Sequence, residues 1–201
     1  LQQGTHTFSG ANVSGSLTIV GASAGDTTVE CSGAFAVMGA LALHNLTVRG
    51  CQDCGARLGG IIRTDSGHVS LENVHVRQSS LSCGGTGSLW LRGVNITNVD
   101  ISDHCQMSWN AGQADGQLSI AGTNPHVNVT DVQLSKLHVR SGADSIVRLL
   151  RVRGDLELAT DSFFGFARVM ATDCTYPSGA PTVQNLGGVS VHVGKTGASC
   201  D

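Results

Sequence analysis

The chain has 201 residues with 27 glycines but three prolines, 4% aromatic and 13% charged residues, and a formal net charge of −3. That length can bury one core, and a glycine-rich, aliphatic, aromatic-poor composition suits many short strands joined by turns. Two lysines, Lys136 and Lys195, make no basic stripe, and no apolar run reaches the ~18–20 residues that span a bilayer, so neither nucleic-acid binding nor direct membrane insertion is expected. No charged start leads into an apolar stretch, and a chain opening at Leu1 is expected to be processed or excised from a longer one.

In chain order, 16–24 (SLTIVGASA) is the first, weak copy of a pattern that recurs in full at 40–48 (ALALHNLTV), 68–76 (HVSLENVHV), 88–96 (SLWLRGVNI) and 126–134 (HVNVTDVQL). The second, fourth, seventh and ninth places are apolar: Leu41, Leu43, Leu46 and Val48, then Val69, Leu71, Val74 and Val76, then Leu89, Leu91, Val94 and Ile96, then Val127, Val129, Val132 and Leu134. A step of two marks a strand with one buried face, so the step of three between the fourth and seventh places requires a bend. Asn45, Asn73, Gly93 and Asp131 hold the sixth place, and these residue types adopt a left-handed backbone at low cost. Phe35 and Val37, Ile61 and Ile62, and Leu118 and Ile120 predict a further strand in each coil. Copies about 20–28 residues apart then give a solenoid of roughly three short strands per turn.

An antiparallel sandwich also alternates, but it gives no reason for one bend to recur with these corner residues. The best helical candidate, 144–152, reads equally well as a strand. Residues 1–162 are expected to form the coils. Residues 163–201, with Pro177 and Pro181, are expected to form irregular final coils, a cap or a linker of the same domain, with a strand near Val189–Val193.

Seven cysteines (Cys31, Cys51, Cys54, Cys83, Cys105, Cys174, Cys200) and four N-x-S/T sequons (Asn12, Asn45, Asn95, Asn128) favour an oxidising, extracellular or cell-surface location. All seven cysteines are disulfide candidates, and the odd count implies either a free thiol or a partner cysteine outside this segment. Asn95 and Asn128 fall on outward places and suit N-glycosylation, and Asn12 precedes the repeats. Asn45 carries sugar only if its amide lies outside the corner. Cys51-x-x-Cys54 has no second pair at zinc-finger spacing, so a staple in a turn is expected there rather than a metal site. The eight histidines, with His68 and His126 at the first place and His75 outward, are expected to be surface residues.

The coils, the Gly59-Gly60-Ile61-Ile62 run and the opening stretch through Cys31 resemble the pectin-lyase-like superfamily of right-handed parallel β-helices over about residues 10–155. The likeness is nearest to its large repetitive surface proteins: polymorphic outer-membrane adhesins and the giant surface proteins of protists and algae. The resemblance implies an asparagine ladder through Asn45 and Asn73, interrupted at Gly93 and Asp131.

Glycoside hydrolysis needs two carboxylates across the scissile bond, and calcium-assisted elimination needs an acidic cluster with a base. Here the acids are scattered, and the N-T-D, D-D, H-G and R-x-K elements of the superfamily's hydrolases are not found as a set, so the chain is expected not to be an enzyme. The 38-residue interval between Val94 and Val132 predicts a long loop over 99–116. Trp109, Asp100, Asp103, His104 and Asp115 on it are the candidate carbohydrate or cation contacts; in the competing reading Trp109 folds over the core and Cys105 enters a disulfide. The expectation is a structural or adhesive segment of a larger secreted glycoprotein without a cofactor. Its alternative is a carbohydrate-binding or polysaccharide-cleaving module built on 99–116. Other segments of the same polypeptide, further subunits or glycans are the expected partners, with at least one open end of the solenoid covered.

Overall fold

A computed structural model describes residues 1–50, 61–141, 145–160, 167–179 and 182–185. It has β1 (Gly4–Phe8), β2 (Ala11–Val13), β3 (Ser16–Val20), β4 (Thr27–Cys31), β5 (Phe35–Val37), β6 (Ala40–Gly50), β7 (Ile62–Thr64) and β8 (His68–Cys83). There follow β9 (Ser88–Ile101), β10 (Gln106–Gly122), β11 (His126–Ser141), β12 (Ser145–Leu150), β13 (Arg153–Thr160), β14 (Ala167–Thr172) and β15 (Thr182–Asn185). Among the described residues every element is a strand and every strand pairing is parallel, which excludes the antiparallel sandwich.

The strands stack as coils of a β-solenoid of about seven turns. One stack runs through β3 and the first stretches of β6, β8, β9, β10 and β11 into β12 and β14. Along it Ile19, Leu43, Leu71, Leu91, Trp109, Val129, Leu149 and Ala171 follow one another inward, all buried. A second stack joins β1 and β4 to the middle stretches of the long strands. A third carries β2, β5 and β7 into the last stretches of β8–β11, then β13 and β15. Phe35 and Val37 lie on this third stack, as do Leu118 and Ile120, whereas Ile61 precedes β7 and Ile62 points inward with Thr64, whose hydroxyl donates to the Val37 carbonyl. The inward columns merge into one aliphatic core, each buried side chain contributing ~1.5–3 kcal/mol relative to exposure.

The bend between the first and second stacks is left-handed in seven coils. Asn45, Asn73, Gly93, Ala111, Asp131, Arg151 and Asp173 all have φ between 50° and 60°. Asn73 Nδ2 donates to Asn45 Oδ1 at 3.2 Å, so the two form a ladder step. Gly93 interrupts it, and Asp131 resumes the column as an ion pair with Arg151 at 2.5 and 2.7 Å. The Arg151 hydrogen bond, reinforced by its charge, holds the exposed Asp131 carboxyl below the usual aspartate range. A depressed carboxyl stabilises the fold above its unfolded value and loses that contribution as pH falls through its folded one. Titration of Asp131 by carbon NMR should therefore give a midpoint below that of an ordinary aspartate, and Arg151→Gln should return it to the ordinary value.

At the corner before the first stack, glycines replace side chains because backbones meet there. A Cβ at Gly39 would stand 2.1 Å from the Gly15 carbonyl oxygen. Further along, Gly67, Gly87, Cys105 and Pro125 occupy this position, their carbonyls accepting from the amides of Ser88, Gln106, His126 and Ile146. Cys105 turns inward and is bonded to Cys83 at the end of the preceding coil's third strand.

The expected loop over 99–116 is not a loop. Val99–Ile101 are this coil's rung of the third stack, residues 102–105 turn the corner, and Gln106 opens a full coil pairing with β9 on one side and β11 on the other. The long interval is two coils, with Gly112 in register with both Val94 and Val132. Residues 145–150 are strand, not helix, and β14 extends the first stack beyond residue 162 with Val169 and Ala171 inward. Cys51, Cys54, Cys200, the Gly59-Gly60 pair and Val189–Val193 lie outside the described residues.

Candidate functional site

The chain's two tryptophans stand one place apart in the repeat, and strand parity sends them to opposite sides of a wall. Trp109 holds a fourth place, faces inward between Leu91 and Val129, and is 1% exposed. Its indole Nε1 donates to the Ala111 carbonyl at 3.2 Å. It therefore offers no face to a saccharide, and the structure agrees with the reading in which Trp109 packs on the core and Cys105 enters a disulfide. Gly112 makes room for it: a Cβ there would stand 3.0 Å from Nε1 and 2.1 Å from the Val94 carbonyl, at a φ of 139°.

The other expected contacts do not converge around it. Asp100 sits on the outer side of the third stack in register with Ser82 and Ser119, where partial burial raises its carboxyl pKa. Asp103 lies in the corner and ties coil to coil, its Oδ1 accepting from the Thr123 amide at 3.1 Å. His104 is exposed beside it, and Asp115 accepts from Gln113 Nε2 at 2.6 Å on the second stack. These groups span different faces of the coil, so they do not form one site.

Trp90 holds a third place, faces outward and is 39% exposed. It stands on the first stack's outer wall in one column with Ser70, Ser108, Asn128, Arg148 and Met170. The rung beyond it presents Gln106, Ser108 and Asn110, all exposed and uncharged. On its own rung is Arg92, which pairs with Glu72 at 3.5 Å, and Glu72 pairs with His44 at 3.3 Å. Further along the wall a groove of about 480 Å³ is lined by Asn128, Arg148, Leu150 and Met170 among others. An accessible indole framed by amides and a hydroxyl can pack a sugar ring by its apolar face and hydrogen-bond its hydroxyls. The signal was present in the repeat, since odd places point outward, but Trp90 lies inside a regular copy and not in an apparent loop.

The sequon asparagines Asn12, Asn95 and Asn128 are exposed on the third, second and first walls respectively. Asn45 is half-buried with its side-chain oxygen taken by Asn73, and Thr47 of the same sequon is buried and donates to the Ala24 carbonyl at 2.6 Å. Cys31 is a buried thiol whose pKa is pushed up to about 11 by burial, which makes it unreactive. The Cys83–Cys105 disulfide is compatible with an extracellular location, and no helix among the described residues is long and apolar enough to cross a membrane. Set against family models, curated proteins and solved structures, the chain matches none of them.

Proposed function

We propose that the chain is a non-enzymatic structural or adhesive segment of a larger secreted or cell-surface glycoprotein, akin to the repetitive surface proteins among pectin-lyase-like β-helices. The observation that supports this reading best is the register of the first stack, which runs from β3 to β14 and aligns outward side chains in straight columns on a flat wall. Such a wall is an extended contact surface held by a core that needs no ligand to form. Beads coated with the protein, passed under flow over a panel of immobilised polysaccharides and over cells, should be retained on some surface without releasing reducing ends. Release of reducing ends from a polysaccharide would overturn the non-enzymatic reading.

The second reading, a carbohydrate-binding module, is favoured by Trp90 with the amides and hydroxyl of the rung beyond it, and no longer by a loop over 99–116. It requires that protein made without glycans be held on a polysaccharide and that Trp90→Ala abolish the retention.

A further inference from the structure

We propose that Asn128 carries an N-linked glycan whose first N-acetylglucosamine units lie back along the wall and pack on Trp90. This rests on the reading of the chain as a secreted glycoprotein. Attachment uses a lipid-pyrophosphate-linked oligosaccharide as donor. The sugar C1–O bond to pyrophosphate breaks, a C1–N bond to the Asn128 amide forms, and the amide proton leaves with the lipid pyrophosphate.

The placement comes from parity and register. Asn128-Val129-Thr130 is a sequon on β11; Val129 is buried at a fourth place, so Asn128 at the third is outward and exposed. Asn128 is in register with Ser108, and Ser108 with Trp90. Two rungs at ~4.8 Å each put the asparagine ~10 Å from the tryptophan along the strand-stacking direction, within the span of one or two sugar rings. Small Ser108 leaves that path open, and Gln106 and Asn110 flank it with amides for the sugar's hydroxyl and acetamide groups. In the opposite direction the next residue of the column is the exposed cation Arg148, in the groove described above, which offers a sugar no aromatic face. The pairing is specific to this sequon among those described. Asn95 is flanked in its column by His75 and Gln113, and Asn12 by Ala36, none of which is a flat hydrocarbon surface of indole size.

The test uses protein secreted from eukaryotic cells. Glycopeptide mass spectrometry reads occupancy at Asn128, and acrylamide quenching of tryptophan fluorescence reads access to Trp90. Native protein should show Asn128 occupied and Trp90 shielded. Quenching should rise in Asn128→Gln and in Thr130→Ala, which remove the sequon in different ways, should stay at the native level in Asn95→Gln, and should lose its glycan dependence in Trp90→Phe. Occupied Asn128 with quenching unchanged by its removal overturns the packing proposal and leaves the glycoprotein reading intact. Empty Asn12, Asn95 and Asn128 overturn both.

Discussion

Trp109→Ala should destabilise the protein by about 3–5 kcal/mol, whereas Trp90→Ala in protein made without glycans should stay within about 0.5 kcal/mol. The two residues share a chemistry and differ by one place in the repeat. Trp109 fills space that other coils fill with a leucine or valine at the fourth place together with an aliphatic group at the seventh, where this coil has Gly112. Truncation leaves a void that Gly112 cannot fill, and the indole's hydrogen bond to Ala111 is lost as well. Trp90 has solvent on one side and packs on a wall that stays in place without it. Denaturant unfolding of both variants checks the contrast. Equal losses would mean that the parity assigned to these strands is wrong.

The second large effect is expected from the Cys83–Cys105 disulfide, which closes a loop of 22 residues amounting to one coil. Closing a loop of that length removes denatured-state entropy worth about 3 kcal/mol. The Cys83→Ala, Cys105→Ala double variant should be less stable by about that amount, and reductant should lower the native protein's stability by more than it lowers the variant's. Alanine is the right replacement, because serine would bury an unsatisfied hydroxyl where the two residues are 0–2% exposed. Amide exchange should quicken first in β8, β9 and β10, the rungs the bond holds together. Exchange quickened uniformly along the solenoid would contradict so local a role.

Four coils were legible because each repeats aliphatic pairs around a residue suited to a left-handed corner, and the corner at Asn45, Asn73, Gly93 and Asp131 is where the backbone turns. The coil at 106–122 was hidden by a size exchange. Trp109 with Gly112 fills the same interior as leucine with valine, but Gly at the seventh place and Ala111 at the sixth do not look like the template. Arg151 hid the next corner, since a long cation gives no hint of φ 50° until its pairing with Asp131 is seen. The third stack was legible only in part, because Thr64 and Cys83 point inward there and polarity alone places neither. The exposure of the two tryptophans was hidden for a related reason: Trp109 stands in an apparent loop that is a regular coil, where a fourth place points inward, and Trp90 at a third place points outward.

Parallel pairing throughout gives the rod a head and a tail. Phe8, Ala11 and Leu17 of the first rung are partly buried and pack against the core. A copy brought against that rung by translation along the axis would continue the parallel pairing, whereas one brought against it about a two-fold axis would meet it with strands antiparallel. Repeated joining of the first kind would build a polar fibre, and the second kind would close a pair.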